Sequence, residues 1–278
     1  MNLKTISAAS LLVIASVQAY AAEDIDDTVK GKTYLQYEHN YQTEKRAHGD
    51  SIKLVHKTPD RWGFEVKFGI YPNSIDTAYE NYYGGSAGFV LSKSYILDKK
   101  TYVTPQFEID FQSGSLQYLS GATLYHKLSD NWGGYVRYRY QFRDYASTDS
   151  YKTRNMYIDG DSANGTESVT YLAKGNIGTH RFETGIDYRG VENWRFQYIL
   201  LYDYADYTNS PKSCDSHSCT SLEYASFDNK KGYLYNEFKI QYTGFKAAIP
   251  YFEIDQKSVS GTSNKEQACL KLGFNWYF

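Results

Sequence analysis

The last nine residues alternate apolar and polar side chains, with Leu270, Leu272, Phe274, Trp276 and Phe278 on one face and Lys271, Gly273, Asn275 and Tyr277 on the other. The same period of two recurs upstream. Three segments open on a Trp that follows an acidic turn residue by two positions, after Asp60, Asp130 and Glu192. They continue with an apolar face: Trp62, Phe64, Val66, Phe68, Ile70; Trp132, Gly134, Val136, Tyr138, Tyr140, Phe142; and Trp194, Phe196, Tyr198, Leu200, Tyr202. Reading outward from these anchors predicts about twelve strands, over 33–43, 50–58, 61–70, 86–96, 101–112, 115–128, 131–143, 178–189, 193–205, 232–243, 246–256 and 266–278.

The connections fall into two classes. Those beside the Trp residues are short: Pro59-Asp60, 97–100, Ser129-Asp130, 190–192 and 243–245. Those at the other ends include three long ones, 71–85, 144–177 and 206–231, and within the second the alternation of Val169, Tyr171 and Ala173 leaves room for an extra strand or a lengthened hairpin. An even strand number, termini on one side and short turns on that same side predict an all-β, transmembrane, antiparallel β-barrel with long outer loops. Trp favours the membrane interface, so Trp62, Trp132, Trp194 and Trp276 are expected in one girdle. The aromatic-terminated closing strand resembles the signal that outer-membrane barrels present to their assembly machinery.

Composition agrees with a barrel. The chain of 278 residues has 30 Tyr yet a mean hydropathy of −0.61, as expected when apolar residues face lipid and polar ones face a lumen; the alternative is a Tyr-rich soluble β-sandwich. Lys4, the apolar run Leu11 to Val17 and Ala19-Tyr20-Ala21 predict a cleaved secretory signal over 1–21, leaving 22–278 as a single barrel domain in the outer membrane of a Gram-negative bacterium. No later segment approaches the run of about 18 apolar residues a spanning helix needs. A net charge of −2 excludes a basic nucleic-acid surface. Cys214 and Cys219 bracket Asp-Ser-His-Ser, which suits a small disulfide ring better than a three-ligand metal set with His217, and Cys269 is left over. The acidic stretch 159–165 has the flavour of a calcium loop, but Ala163 occupies a liganding position, so a solvated turn is expected. No cofactor or metal is implied.

Setting the Trp face of every strand toward lipid defines the lumen. The fifth strand turns Tyr102, Thr104, Gln106, Glu108 and Asp110 inward, and the eleventh turns in Tyr251, Glu253 and Asp255; Phe-Glu-Ile-Asp occurs in both, at 107–110 and 252–255. These acidic strands lie opposite each other in a ring of twelve. The inward basic residues form two further groups: Lys53, Lys57, Arg61 and Lys67 on strands two and three, and Arg137, Arg139, Arg143, Arg181, Arg189 and Arg195 on strands seven to nine. Local pairing, such as Arg61 with Glu65 or Arg181 with Glu183, would neutralise some of them. The cluster on strand seven is harder to neutralise, and opposed basic tracks would pass a carboxylate-bearing sugar chain from one guanidinium to the next. Twelve strands leave a narrow pore, between the filled eight-strand barrel and the wide sixteen-strand porin.

The first hairpin carries Tyr37-Glu38-His39-Asn40-Tyr41, Arg46-Ala47-His48-Gly49-Asp50-Ser51-Ile52-Lys53-Leu54 and His56-Lys57 ahead of Trp62-Gly63-Phe64. This pattern resembles the KdgM family of oligogalacturonate-specific porins, which includes sialic-acid channels. The resemblance implies a twelve-stranded barrel with opposed Arg/Lys tracks lining an anion-preferring pore, here Lys53, Lys57 and the Arg residues of strands seven to nine. The expected function is passive, selective diffusion of acidic oligosaccharides; the expected partners are those sugars, outer-membrane lipid and, through the C-terminal strand, the barrel-assembly machinery, and the expected state is a monomer.

Two rivals make different predictions. A nucleoside-type or other small-solute channel predicts a ladder of inward aromatics, for which Tyr102, Tyr125, Tyr135, Tyr233 and Tyr251 are candidates. An outer-membrane phospholipase needs a lipid-facing Ser–His pair, yet Ser120 is six residues from His126 on its strand, and His39, His56 and His180 are explained as girdle residues. No enzymatic activity is expected.

Overall fold

The computed structural model describes residues 31–72, 82–112, 115–145, 148–155, 166–173, 176–208, 212–214, 219–221, 231–245, 247–258 and 265–278. Their strands are β1 (Lys32–Gln42), β2 (Ala47–Lys57), β3 (Trp62–Pro72), β4 (Tyr82–Lys93), β5 (Tyr95–Asp98), β6 (Thr101–Gln112), β7 (Ser115–Lys127), β8 (Trp132–Tyr145), β9 (Thr148–Asn155), β10 (Thr166–Ala173), β11 (Asn176–Tyr188), β12 (Trp194–Thr208), β13 (Lys212–Cys214), β14 (Cys219–Ser221), β15 (Gly232–Tyr242), β16 (Ala248–Ser258) and β17 (Glu266–Tyr277). No helix occurs among the described residues. The expected signal segment and the 159–165 loop lie outside them.

The large sheet runs β4-β3-β2-β1-β17-β16-β15-β12-β11-β8-β7-β6-β5, and pairing of β4 with β6 closes it. β4 and β5 are one strand interrupted at Ser94, so the barrel has twelve strands, all antiparallel. The interruption has a local cause. Extending the β4–β6 register places Lys93 opposite Pro105, whose ring nitrogen has no hydrogen to donate to the ladder. Closure between the terminal strands runs from Tyr34↔Tyr277 to Gln42↔Cys269, and Phe278 N donates to Thr33 O at 3.1 Å. No edge remains to be hydrated, the condition for a sheet to cross a membrane.

Alternation sets the two faces as expected. Phe64, Phe68, Phe89, Phe107, Phe111, Val136, Phe182, Leu234 and Leu272 are exposed on the outer wall, whereas Glu108, Glu183, Asp187, Asp203 and Asp255 are buried inside. Such an inverted distribution makes sense only with lipid outside. The four Trp residues are 38–48% exposed and sit beside short turns at one end of the barrel. One boundary shifts. Arg61, expected to open the third strand, lies in the β2–β3 turn with φ +70°, its N–H donating to Thr58 O at 2.9 Å.

A second sheet, in the order β14-β13-β10-β9, comes from the chain between β8 and β11 and between β12 and β15, hence at the end away from the Trp turns. It includes the 169–173 segment, as the extra strand the alternation allowed. Its β13–β14 register sets Cys214 opposite Cys219; a disulfide or a metal set there rests on side chains outside the description.

Candidate functional site

Each inward cation can be placed by its strand. Lys53 and Lys57 are on β2, Lys67 on β3, Arg137, Arg139 and Arg143 on β8, Arg181 on β11 and Arg195 on β12; Arg189 follows β11 in a turn. Around the ring the two groups are separated by about half the barrel. Most members, however, are held by carboxylates. Lys67 contacts Glu108 and lies 3.0 Å from Asp110. Arg137 Nε donates to Glu183 Oε2 at 2.6 Å, and Arg139 Nη2 donates to Glu183 Oε1 at 2.5 Å, so one carboxylate serves two guanidiniums. Arg181 grips Asp203 through two bonds of 2.6 Å, Lys53 is 3.6 Å from Glu65, and Arg143 donates to Gln117 at 2.8 Å. The acid partner of Arg181 is therefore Asp203 across the strand rather than Glu183 along it, because directly paired inward residues are closer than residues i and i+2.

Several contacts jump a strand, and inward glycines permit the jump. Lys67 on β3 reaches β6 by passing over Gly88 on β4, where an added Cβ would collide with Lys67 Cε. Arg139 on β8 passes over Gly121 on β7, where a Cβ would meet its Cγ at 2.9 Å, and comes within 3.7 Å of Glu108. Tyr251 on β16 crosses Gly273 on β17 to donate to Glu38 Oε2 at 2.8 Å, while Gln36 donates to Tyr251 Oη at 2.6 Å. The sequence signal for such crossings is a glycine inside a strand at inward parity.

The acidic sectors are neutralised in the same way. Opposite the Lys67 site, Lys271 contacts both Glu253 and Asp255, Lys239 is 2.9 Å from Glu253, and Lys257 is 3.2 Å from Asp255. Glu237, Glu253 and Asp255 lie close enough together for one ion, but these ammonium groups already stand against two of them.

Balance fails at one end. A cavity of about 830 Å³ opens at the Trp-turn mouth, lined by the basic side chains of Lys32, Lys57, Arg137, Arg189, Arg195 and Lys239 and by Asp187 and Glu192; Arg137 and Lys239 are answered by Glu183 and Glu253, which leaves four cations against two carboxylates. Among the described residues no carboxylate lies within ion-pair distance of Lys32 or Lys57. Asp187 is almost wholly buried and takes both Arg189 Nε, at 2.8 Å, and Arg195 Nε, at 2.5 Å. Tyr34, Tyr102, Tyr125, Tyr135 and Tyr277 complete much of the wall. Of the ten predicted cations, Lys57, Arg137, Arg189 and Arg195 meet in this cavity; Lys53, Lys67, Arg139, Arg143 and Arg181 sit elsewhere on the wall in pairs or hydrogen bonds, and Arg61 lies in the β2–β3 turn outside the cavity lining. Lys32 and Lys239 were legible from the same parity but outside the expected set, and Asp187 emerges only from three-dimensional pairing.

The inward tyrosines do not form a single ladder. Tyr102 and Tyr125 stack at 4.9 Å and Tyr233 and Tyr235 at 5.4 Å, while Lys239 Nζ sits 3.8 Å from the Tyr251 ring. On the outer wall, His56 pairs with Thr33 and His126 with Thr101, both at 2.8 Å, and His180 bonds Tyr138 at 2.8 Å with Asp206 at 3.3 Å. His39 meets Asp50 at 3.0 Å and His48 at 3.1 Å. No described histidine hydrogen-bonds Ser120.

No family model and no curated protein matches the sequence. Solved structures do match in fold. The NanC porin superposes with a TM-score of 0.61 at 16% identity, covering 87% of this chain and 98% of that one. A KdgM porin in complex with disordered oligogalacturonate gives 0.56 at 16% identity, covering 88% and 99%. An outer membrane channel from Pseudomonas putida F1 gives 0.55 at 10% identity, covering 90% and 96%. The chain therefore has the fold of the KdgM-type outer-membrane porins.

Proposed function

We infer that the protein is an outer-membrane channel for passive diffusion of acidic oligosaccharides, of the oligogalacturonate or sialic-acid type. The observation that carries this reading is the surplus of basic groups at the Trp-turn mouth, where Lys32, Lys57, Arg189 and Arg195 face only Asp187 and Glu192 once Arg137 and Lys239 are paired with Glu183 and Glu253, in a lumen otherwise balanced by ion pairs. A carboxylate-bearing chain entering such a lumen exchanges water for charge-assisted hydrogen bonds at each open guanidinium. The similar fold of a porin whose structure contains oligogalacturonate supports the choice of cargo. Transport in this reading is passive and follows the gradient.

Reversal potential in a planar bilayer under a KCl gradient, together with uptake of trigalacturonate into protein-containing vesicles, tests the reading. Anion preference and uptake above that of maltotriose are expected. Cation preference that does not change in the Arg137→Ala, Arg139→Ala double variant would sink it.

A further inference from the structure

The cavity at the Trp-turn mouth has two kinds of wall, and their juxtaposition is more specific than a basic track. On one side Asp187 stands behind Arg189 and Arg195. The carboxylate is 2% exposed, whereas the two guanidinium side chains are 42% and 31% exposed. One buried anion fixes the orientation of two cations and cancels only one of them, so a positive charge with preset hydrogen-bond donors is left facing the cavity. On the other side, Tyr125 lies across Gly133, where a Cβ would collide with its Oη, and Tyr102 stacks on it with an interplanar angle of 22°. Both tyrosines and both arginines line the same space of about 830 Å³, a volume within the range of small-ligand sites.

We propose that this mouth is a discrete binding site for one uronate residue, with its carboxylate on the Arg189–Asp187–Arg195 clamp and its ring against the Tyr102–Tyr125 pair. The inference rests on the reading of the protein as an acidic-sugar channel and deepens it, since it makes occupancy unequal along the pore. The clamp selects charge. The tyrosine pair selects a ring, because the apolar C–H face of a pyranose buries area on an aromatic surface that a small inorganic anion does not use. A second carboxylate-bearing ring, benzoate, shares this chemistry and separates a sugar site from an aromatic-acid site.

Single-channel block in a planar bilayer tests the site, with D-galacturonate, D-galactose and benzoate added in turn to either compartment. Galacturonate is expected to block at lower concentration from the Trp-turn side than from the other, and galactose not to block at matched concentration. Tyr102→Leu with Tyr125→Leu, and separately Arg189→Gln with Arg195→Gln, should each raise the half-blocking galacturonate concentration by about tenfold or more, the size of a lost charge-assisted bond or of an unstacked ring. Retained open-channel conductance shows that a variant has inserted. Where the Gln pair does not insert, Arg189→Lys with Arg195→Lys keeps the charge, loses the planar forks and should still weaken block.

The proposal is overturned by an unchanged half-blocking concentration in either double variant, by equal block from galactose, by tighter block from benzoate, or by no sidedness. Its failure is distinct from that of the channel reading. Trigalacturonate uptake with unaltered block in the variants removes the site and leaves the transport reading; galacturonate block without uptake removes the transport reading and leaves the site.

Discussion

At the scale of single residues, glycines at inward positions decide what the lumen wall can connect. Gly273 is the clearest case. A Cβ there would come within 2.5 Å of Tyr251 Cζ, which a side-chain rotation relieves, and within 2.5 Å of the Tyr37 backbone oxygen, which nothing relieves without moving β1. Gly273→Val is therefore expected to destabilise the barrel by about 1–3 kcal/mol, measured as a lower urea midpoint for unfolding from lipid vesicles, and to break the Tyr251–Glu38 bond. Glu183 is the opposite case, a carboxylate restraining two cations. Glu183→Gln leaves Arg137 with no carboxylate partner among the described residues and Arg139 with Glu108 alone of them. The expected outcome is a reversal potential shifted toward the anion limit together with a loss of about 1–3 kcal/mol of stability; an unshifted potential would show that the pair does not govern permeation.

At the scale of strands, alternation explains why each element was legible and why its partners were not. A period of two assigns faces without any knowledge of neighbours, so Leu272 was outward and Lys271 inward from the pattern alone. In the barrel Leu272 is 61% exposed on the outer wall between His39 and Phe252. Leu272→Asp should cost up to about 2–4 kcal/mol if the position sits near the bilayer midplane, and the readout is a reduced fraction of heat-modifiable, folded protein in vesicles. Turn geometry was less visible. Arg61 and Asn193 adopt φ of +70° and +60° in the turns before Trp62 and Trp194, where glycine would have announced the left-handed conformation and Arg61 did not. The break between β4 and β5 traces to Pro105 on the neighbouring strand, a cause outside the interrupted segment itself.

At the scale of the whole molecule, twelve strands bring charges far apart in sequence onto one wall, and the sum differs along the axis. Ion pairs balance the middle of the lumen and basic groups dominate the Trp-turn mouth. Long-range attraction from that mouth is screened by salt, with a Debye length falling from about 30 Å at 0.01 M to about 3 Å at 1 M. Anion preference measured at the low end should thus decline strongly toward molar KCl, whereas block by galacturonate in contact with the clamp should decline less.

The linear pattern was enough to establish the strands, their faces, the Trp rim and the opposition of acidic to basic sectors, because each follows from period-two geometry and ring closure. Parity also pointed to many of the inward cations, although Lys32, Lys239, Lys257 and Lys271 were outside the expected set and Arg61 lies in a turn. Which of those cations remain open was a matter of folding. Lys67, Arg139 and Arg181 are answered by Glu108, Glu183 and Asp203, acids on other strands, two of them reached over a glycine or shared between arginines. Arg189 and Arg195 share a single buried acid, and among the described residues Lys57 has no carboxylate within ion-pair distance. Parity along one strand says nothing about register between strands, and it is register, with the room left by Gly88, Gly121 and Gly273, that separates the neutralised wall from the basic mouth.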